Sequence, residues 1–496
     1  MTEHPTTDDP TGILMRKRTL LLATALTTGL LTALPATAAT AAPATDPTAD
    51  FNGDGYGDIA FAAPYAKVGG QSTAGYAAVV YGGVAGLDPA THTVVSQNTS
   101  GVPGDAGTED TFGHALATAD LNGDGYTDLA VGAPGDRDGT DSDGGTVTIL
   151  WGSASGLSGG TTVKDPAVSA HNNWGNLLTA GDFDGDGKAD LAVGTDTDDV
   201  YVVRGPFTPT GTTGAVQKIS TPEPAWIVDA MGAGDTNADG RSDLVLTYRV
   251  FTSGEEASSW SKGVAYLGSP TGPDTSSPRA LNGGTSVALG DVDGDGHDEI
   301  ALGNVLRKGS DHTGSLGGKV VVIRGSEGGP VNGDAPMAEL TQDSAGVPGA
   351  DEANDGFGGS VSIGDTNGDG YGDLAIGVPF EDLGTTEDAG AAILMNGSAT
   401  GVSRTGARTV TQNTAGVPGT AEATDYFGTD VLLADVSKDG HAELTVTAGF
   451  EDEGIGAITA LRGSATGPVT DGARTFGPGS LGQVRSYSAF GTGLIG

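Results

Sequence analysis

One stretch of nine residues, from Asp120 to Asp128, carries the side chains best suited to chemistry. Oxygen-bearing side chains occupy its first, third, fifth and ninth positions, as Asp120, Asn122, Asp124 and Asp128. Alternate side chains of a tightly turned backbone converge on one point, which the Tyr126 carbonyl can also reach. Ca²⁺ is a hard cation that prefers about six to eight oxygen ligands. The spacing therefore predicts a calcium loop in which Asp128 closes the ligand shell with both carboxylate oxygens.

The same spacing recurs along the chain at intervals of 53 to 74 residues. Seven copies cannot be accidental, although a single Asp-Gly cluster is more often a plain turn. The seventh position of each copy supplies a backbone carbonyl. Loop by loop, the candidate metal ligands are Asp50, Asn52, Asp54, Tyr56, Asp58; Asp120, Asn122, Asp124, Tyr126, Asp128; Asp182, Asp184, Asp186, Lys188, Asp190; Asp235, Asn237, Asp239, Arg241, Asp243; Asp291, Asp293, Asp295, His297, Glu299; Asp365, Asn367, Asp369, Tyr371, Asp373; and Asp435, Ser437, Asp439, His441, Glu443. The seventh loop is the weakest candidate, because Ser437 replaces a stronger ligand and Lys438 replaces a glycine.

A helix-loop-helix calcium site begins with the same oxygens, but its twelfth residue is a bidentate Glu. Here the twelfth residue of every loop is apolar: Phe61, Val131, Val193, Leu246, Leu302, Ile376 and Val446. The segments after the loops, such as Asp128 to Pro134, are short, β-prone and punctuated by Gly and Pro. Each loop is therefore predicted to join two strands.

The composition indicates a soluble, turn-rich chain that does not bind polyanions. The 496 residues include 86 glycines, and the formal net charge is −41 at pH 7. Such a charge excludes nucleic acid as a partner and disfavours anionic membrane surfaces. The chain has no cysteine, so bound calcium is the obvious alternative to disulfides as a stabilising element.

Residues 1–44 are predicted to be a leader with a secretory signal peptide that is removed. Met15 to Arg18 is basic, Thr19 to Leu34 is apolar, and small residues after Pro35 offer cleavage sites. The alternative is a transmembrane anchor, which is disfavoured because the apolar run is short and ends at Pro35. We expect a secreted, extracellular protein with no membrane span in its mature chain, residues 45–496.

From residue 45 onward one unit repeats: a Phe-Gly strand, the calcium loop, an apolar strand often ending in Gly-Ala-Pro, an acidic stretch, a third strand, a Gly-Ser turn and a fourth strand. The spacing gives about 65 residues per unit, enough for one four-stranded antiparallel blade. The seven repeated units therefore predict an all-β, seven-bladed β-propeller. Closing the ring also protects the sheet edges.

These motifs resemble the FG-GAP repeat family, the calcium-binding propeller of integrin alpha subunits and of many secreted bacterial proteins. The residues that carry the resemblance are Phe112-Gly113 with Gly132-Ala-Pro134, Phe357-Gly358 with Gly377-Val-Pro379, Phe427-Gly428, and the near match Trp174-Gly175. The fourth and fifth units have neither motif. The resemblance covers essentially all of residues 46–496 and implies calcium at the loop positions given above.

In such a blade the calcium loops and the Gly-Ser turns share one face, which we call the lower face. The upper face carries the remaining connections, whose sequences vary and are acidic, as at 135–144, 381–388 and 451–453. An acidic face suggests a cationic or metal-bridged ligand. A solvated rim that keeps the protein soluble is equally compatible with the sequence.

The resemblance favours a calcium-stabilised binding or adhesion protein that engages an extracellular protein or glycan through its upper-face loops. One alternative is a lectin-like propeller. Sugar sites need stacking aromatic side chains, but the four tryptophans lie mostly at strand positions where core packing is expected: Trp151, Trp174, Trp226 and Trp260.

A hydrolase or lyase is the other alternative. The sequence shows no nucleophile motif, and the histidines have no spacing typical of a base or a metal ligand. Enzymes of the family usually carry a separate catalytic domain, for which we expect no room in this chain. We therefore expect no enzymatic activity and no catalytic residues.

The last residues printed, Phe490 to Gly496, form a Phe-Gly strand with no calcium loop after it. In the complete units the phenylalanine, or Trp174, lies eight residues before the first ligand. The first loop, at Asp50, has no such strand before it. Joining residues 490–496 to Ala49 restores the eight-residue spacing, so these residues are predicted to supply the first strand of the first blade.

Overall fold

The computed structural model describes residues 49–137, 144–251, 259–309, 311–331 and 337–496. The predicted leader, residues 1–44, lies outside these ranges. The first strands are β1 (Ile59–Ala63), β2 (Tyr76–Val80), β3 (His92–Val95), β4 (Ala115–Ala119), β5 (Asp128–Ala133), β6 (Thr146–Trp151), β7 (Ser158–Val163), β8 (Leu177–Gly181), β9 (Asp190–Gly194), β10 (Asp199–Val203), β11 (Val216–Ser220), β12 (Ile227–Gly234), β13 (Asp243–Phe251) and β14 (Ser259–Tyr266).

The later strands are β15 (Arg279–Asn282), β16 (Ser286–Gly290), β17 (Glu299–Asn304), β18 (Lys319–Ile323), β19 (Ala338–Leu340), β20 (Val361–Gly364), β21 (Asp373–Val378), β22 (Ala391–Asn396), β23 (Ser403–Val410), β24 (Phe427–Ala434), β25 (Glu443–Ala448), β26 (Ala457–Arg462), β27 (Val469–Phe476) and β28 (Thr492–Ile495). Two short helical segments complete the set, α1 (Glu451–Gly454) and a 3-10 turn (Pro478–Leu481). No helix within the described ranges is long and apolar enough to cross a bilayer.

The strands form seven antiparallel sheets of four strands each, which we number as blades 1 to 7 in the order of their predicted calcium loops. Blade 2 contains β4 to β7, blade 3 contains β8 to β11, and the pattern continues to blade 7 with β24 to β27. Blade 1 has the order β28-β1-β2-β3. The prediction of an all-β, seven-bladed propeller is confirmed.

The core lies between neighbouring blades. Each of the seven boundaries between blades has its own cluster of buried apolar side chains, including the boundary between blades 7 and 1. The second strand of a blade is covered on both sides, so every residue of β5 is buried. This burial explains why the segment after each predicted calcium loop is apolar throughout instead of alternating.

The Phe-Gly and Gly-Ala-Pro motifs meet across the boundary between blades. A Cβ atom on Gly132 of blade 2 would lie 2.1 Å from the carbonyl oxygen of Gly175 in blade 3. Gly377 of blade 6 has the same relationship, also at 2.1 Å, with Gly428 of blade 7. Only glycine allows this approach of two backbones. In blades 2 and 6 the Phe-Gly pair precedes the strand and does not lie within it, because the pair forms the contact with the preceding blade.

The prediction that residues 490–496 complete the first blade is confirmed. β28 pairs antiparallel with β1, with Ala60 opposite Ile495 and Ala62 opposite Thr492. Ala49 also pairs with Asp58, so the chain enters the first predicted calcium loop beside the strand that leaves it. The ring is therefore closed by hydrogen bonds between the two ends of the described chain.

Candidate metal centres

Six of the predicted loops connect the first and second strands of their blades, and the first loop leads into β1 beside β28, so all seven lie on the same face. In blade 2, β4 ends at Ala119 and β5 begins at Asp128, so the loop occupies the whole connection. The ring thus presents the seven sets of oxygen-bearing residues at equivalent positions.

Backbone amides shape each loop around the aspartate at its first position. The Asp120 carboxylate accepts hydrogen bonds from the amides of Gly123, Asp124 and Gly125 at 2.8, 3.1 and 2.9 Å. Gly123 and Gly125 have φ of 78° and 89°, in the left-handed region that glycine adopts without steric cost. The loop is therefore turned by its own amides, which reduces the entropy that an ion would have to offset on binding.

The carboxylate at the ninth position joins two connections of the same blade. Asp128 is fully buried, and it accepts the Leu121 amide at Oδ2 (3.0 Å) and the Gly152 amide at Oδ1 (2.8 Å). Burial raises the pKa of Asp128 to about 7, while the amide of Gly152 acts in the opposite direction and Asp124 adds repulsion. This is the residue predicted to bind with both oxygens. Its two hydrogen bonds connect the predicted calcium loop to the Gly-Ser turn.

Two of the loops bring three carboxylates close enough to share one ion. The candidate oxygens of Asp182, Asp184 and Asp190 lie within 4.8 Å of one another, as do those of Asp291, Asp293 and Asp295. The Oδ1 atom of Asp293 is buried and has no hydrogen-bond partner among the described residues. A buried oxygen without a donor is costly unless a cation satisfies it. The donors are all oxygen, which fits a hard divalent cation.

Four loops also hold cationic side chains of the protein, a feature that sequence reasoning missed. The ion pairs are Lys188 with Asp186 (2.9 Å), Arg204 with Asp184 (3.2 Å), Arg241 with Asp239 (3.2 Å), Arg324 with Asp293 and Asp295 (3.8 Å to the latter) and Arg462 with Asp439 (3.9 Å). Among the described residues, no Lys or Arg pairs with the carboxylates of loops 1, 2 and 6. Lys188 and Arg241 were visible at the seventh position of their own loops, where these three loops have Tyr. The three other arginines lie at or just after the end of the third strand of the blade, far from the loop in sequence: Arg204, Arg324 and Arg462.

Hydrogen bonds also join loops of neighbouring blades. The Thr127 amide of the second loop donates to the Asp50 carbonyl of the first at 3.0 Å. The same contact recurs between Ser242 and Asp182 (2.9 Å) and between Ala442 and Asp365 (2.7 Å). An ion that orders one loop would therefore also order the contact with the next blade.

The upper face repeats a pair of side chains that the sequence analysis did not identify. Gln97 donates through Nε2 to Asp136 at 2.7 Å, and Gln342 donates to Glu381 at 2.6 Å. Gln412 and Glu451 form the third pair at 2.5 Å. These glutamines begin the recurring Gln-x-x-x-Gly-Val-Pro-Gly segments, so that segment anchors an acidic residue on the upper face. Part of the predicted acidic loop 135–144 lies outside the described residues.

The four tryptophans divide into two groups. Trp151 and Trp174 are buried, in agreement with the expectation of core packing. Trp226 and Trp260 are 61% and 40% exposed. The expectation was wrong for these two because Trp226 lies just before β12 and Trp260 lies at the start of β14, where the strands reach the upper face.

Comparison with protein families matches the FG-GAP repeat at residues 42–80, 112–150, 283–316 and 357–395, and an FG-GAP-like repeat at 182–246. The chain carries FG-GAP repeats. The matched FG-GAP segments include loops 1, 2, 3, 4, 5 and 6, and the segment at 283–316 falls in blade 5, where the name-giving motifs are absent from the sequence.

This FG-GAP propeller is similar to two kinds of curated protein. It is 36% identical to the mouse phosphatidylinositol-glycan-specific phospholipase D over 165 residues, covering 33% of this chain and 18% of that protein. The bovine protein of the same name is 31% identical over 242 residues, covering 46% and 26%. Human integrin alpha-7 is 34% identical over 163 residues, covering 32% and 12%. The chain thus matches about a quarter or less of the length of each relative.

These relatives correct one prediction. We expected no enzymatic activity from the absence of a nucleophile motif, and that expectation is contradicted because several relatives are named as a phospholipase, an enzyme. The absence of a nucleophile motif was weak evidence against an enzyme, because a similar FG-GAP propeller occurs within proteins that are named as phospholipases.

Proposed function

We propose that this FG-GAP propeller is a secreted, calcium-stabilised binding protein that engages an extracellular protein or glycan through its upper-face loops. The observation that supports the proposal is that the lower face is regular whereas the upper face varies from blade to blade. The lower face repeats one loop seven times and joins neighbouring copies by hydrogen bonds, whereas the upper-face connections differ in length and sequence. The relation to integrin alpha subunits supports an extracellular binding role.

Calcium is the ion that the seven loops would take. Each loop offers only oxygen ligands, at the positions given above. The formal net charge of −41 also favours the binding of cations at these carboxylates. The buried Asp293 Oδ1 without a partner supports an ion at the fifth loop. Export is supported by the basic and apolar segments of residues 15–34, and extracellular fluids supply calcium at millimolar concentration.

A face-specific blocking experiment tests the proposal. The chain contains no cysteine, so Thr385→Cys and Ala154→Cys each create one conjugation site, on the upper and lower face respectively. Both positions are exposed. An array of matrix proteins and glycans, read in calcium and in chelator, identifies a ligand. A polyethylene glycol chain at residue 385 should then abolish binding, while the same chain at residue 154 should leave binding intact.

Equal binding by the two conjugates would overturn the assignment to the upper face. Absence of any calcium-dependent ligand on the array would overturn the binding function itself. The proposal includes a lectin-like function, which would appear as binding to glycans on the array and to none of its matrix proteins.

The phospholipase relatives favour a second candidate, in which the propeller takes part in hydrolysis of a phosphatidylinositol glycan. The support is the name and the 31–36% identity of those relatives over part of the chain. Incubation of the protein with a phosphatidylinositol-glycan substrate tests it directly. Release of the cleaved glycan above a heat-denatured control is the expected result under this candidate, and its absence would reject hydrolysis by this chain.

A further inference from the structure

Five aromatic side chains form one continuous arc across the upper ends of blades 6, 7 and 1. The successive ring centroids are 5.0 Å apart from Phe380 to Tyr426, 5.0 Å from Tyr426 to Phe450, 6.0 Å from Phe450 to Tyr487 and 6.1 Å from Tyr487 to Tyr65. We call these five residues the aromatic arc. Such spacing is that of rings in direct contact, so the arc is a single surface and not five isolated side chains.

Four of the five arc residues are exposed to solvent although their rings pack on one another, and Tyr426 is half-buried. Phe380, Phe450 and Tyr65 are 39%, 38% and 38% exposed, and Tyr487 is 52% exposed. Contiguous exposed apolar surface on a soluble protein marks an interaction site more often than scattered single residues do. The equivalent positions of blades 2 and 3 hold Gly135 and Thr197, so the arc belongs to three blades and is not a general feature of the repeat.

The backbone holds the rings in place. The Phe380 amide donates to the Asp355 carbonyl at 2.9 Å, and the Phe450 amide donates to the Asp425 carbonyl at 3.1 Å. The Tyr487 ring rests on Gly454, where a Cβ atom would lie 2.6 Å from the ring. The arc is thus presented in a fixed arrangement, which lowers the ordering cost of binding.

Carboxylates line the arc. Glu381 follows Phe380, and Glu451, Asp452 and Glu453 follow Phe450 in the chain. Glu381 and Glu451 accept hydrogen bonds from neutral glutamines and keep their charge, whereas Asp452 pairs with Arg485. No Lys or Arg lies over an arc ring among the described residues. Exposed rings beside carboxylates attract cations, because the ring face and the carboxylate are both negative.

Blade 4 shows how this combination holds a cation. The Arg249 guanidinium lies 5.7 Å from the centroid of Trp226, and its Nε donates to both carboxylate oxygens of Asp229 at 2.8 and 2.9 Å. Trp226 lies on the upper face, so the protein already binds one of its own arginines between a ring and a carboxylate there. The aromatic arc offers the same chemistry: Arg485 pairs with Asp452 beside it, and the ring faces carry no Lys or Arg of the described residues.

We propose that the aromatic arc docks an arginine- or lysine-bearing segment of a protein partner. This inference rests on the proposed function, since it names the surface and the ligand chemistry of the upper face. Charge complementarity selects this occupant over a neutral glycan, because four carboxylates lie beside the arc against one cation of the described residues, Arg485, and a basic segment offsets the remaining negative charge whereas a neutral sugar does not.

The test uses a fluorescein-labelled peptide with three arginines separated by glycines, and fluorescence anisotropy with the intact protein in calcium at about 0.15 M NaCl. Wild-type protein should bind the peptide, and a citrulline version should bind at least about tenfold more weakly. Phe450→Ala and Tyr487→Ala should each weaken binding about tenfold. Neither substitution alters net charge, so long-range attraction stays constant.

Phe251→Ala is the matched control, because Phe251 is 49% exposed at the upper end of blade 4 and lies outside the arc. It should leave the affinity unchanged. Equal loss in all three variants, equal binding of the citrulline peptide, or no binding of the arginine peptide would each overturn the proposal. A glycan captured by wild type and lost in the arc variants would assign the arc to carbohydrate instead. In one further outcome, the ligand identified on the array is blocked by the polyethylene glycol chain at residue 385 and yet binds the arc variants normally. That result would reject the aromatic arc as the docking site while leaving the upper-face binding function in place.

Discussion

The ring of Phe490 lies edge-on to the ring of Phe61, with their centroids 4.8 Å apart, although they come from opposite ends of the described chain. Both side chains are fully buried. The Gly491 amide donates to the Ala62 carbonyl at 2.9 Å, and the Phe490 amide donates to Ile455 of blade 7. Phe490 therefore occupies, between blades 7 and 1, the position that Phe112 and Phe427 occupy at their own boundaries.

Deleting residues 489–496 should destabilise the whole ring, because blade 1 loses its inner strand and the boundary between blades 7 and 1 loses Phe490. Phe490→Ala alone should cost about 3–5 kcal/mol, as expected for a buried phenylalanine. Thermal unfolding measures both changes. Val484→Ala is the control, because Val484 is 77% exposed. A truncated protein with an unchanged melting temperature would show that the ring does not depend on this strand.

The features that could be predicted from the sequence are those that depend on local spacing. The positions of the seven acidic loops, the order of strands and the place of residues 490–496 all follow from short motifs that repeat at fixed offsets. The aromatic arc could not be predicted, because Tyr65 and Tyr487 meet only after the ring closes. Arg324 was missed for a similar reason, since it reaches the fifth loop from the end of β18.

Calcium removal should lower the melting temperature by many degrees. The carboxylates of each loop repel one another without an ion, and millimolar calcium would contribute about 1.5 kcal/mol per site at a dissociation constant of about 10⁻⁴ M. Differential scanning calorimetry in calcium and in excess chelator measures the effect. Magnesium at equal concentration is the control for ionic strength. Identical curves in calcium and chelator would reject calcium as a structural ion.

The chelated protein should lose stability as the pH rises. Burial raises the pKa of Asp58 and Asp128 to about 7 and that of Glu299 to about 8, above their unfolded values. The folded state therefore binds more protons than the unfolded state from about pH 4 to 8, so stability falls as pH rises through this window. In chelator, melting at about pH 5.5 should exceed that at about pH 8, and calcium should reduce the difference. A melting temperature that increases with pH in chelator would contradict this sign.

Gly377→Ala should be strongly destabilising, because the new Cβ would lie 2.1 Å from the Gly428 carbonyl oxygen in blade 7. The two backbones would have to separate, which disrupts the packing of blades 6 and 7. Gly83→Ala is the matched control, since nothing lies within 4 Å of a Cβ placed there. Urea unfolding of the two variants compares them. Equal midpoints would show that the close approach of Gly377 and Gly428 is not required.

The loops should differ in how much each contributes to calcium binding. Asp124→Ala removes a charged ligand from the second loop, which has no ion pair with Lys or Arg among the described residues, and one equivalent of bound calcium should be lost. Ser437→Ala should change little, because Ser437 carries no charge and the seventh loop already holds Arg462 beside Asp439. Lys438 there also has φ of 56°, a strained conformation for a residue other than glycine. Equilibrium calcium titration that shows equal losses would contradict this ranking.

Removing an internal cation should strengthen calcium binding at the loop that contains it. Arg324 pairs with both Asp293 and Asp295, so it competes with a divalent ion for the ligands of the fifth loop. Arg324→Gln should raise the calcium affinity of that loop roughly three- to tenfold, because the ion then meets the carboxylates without a like charge nearby. Arg279→Gln is the control for net charge, since Arg279 is exposed and donates to the Gly328 carbonyl at 3.3 Å. Isothermal titration calorimetry should show the tighter class of sites in Arg324→Gln alone; the same change in both variants would mean that overall charge, and not competition at the loop, sets the affinity.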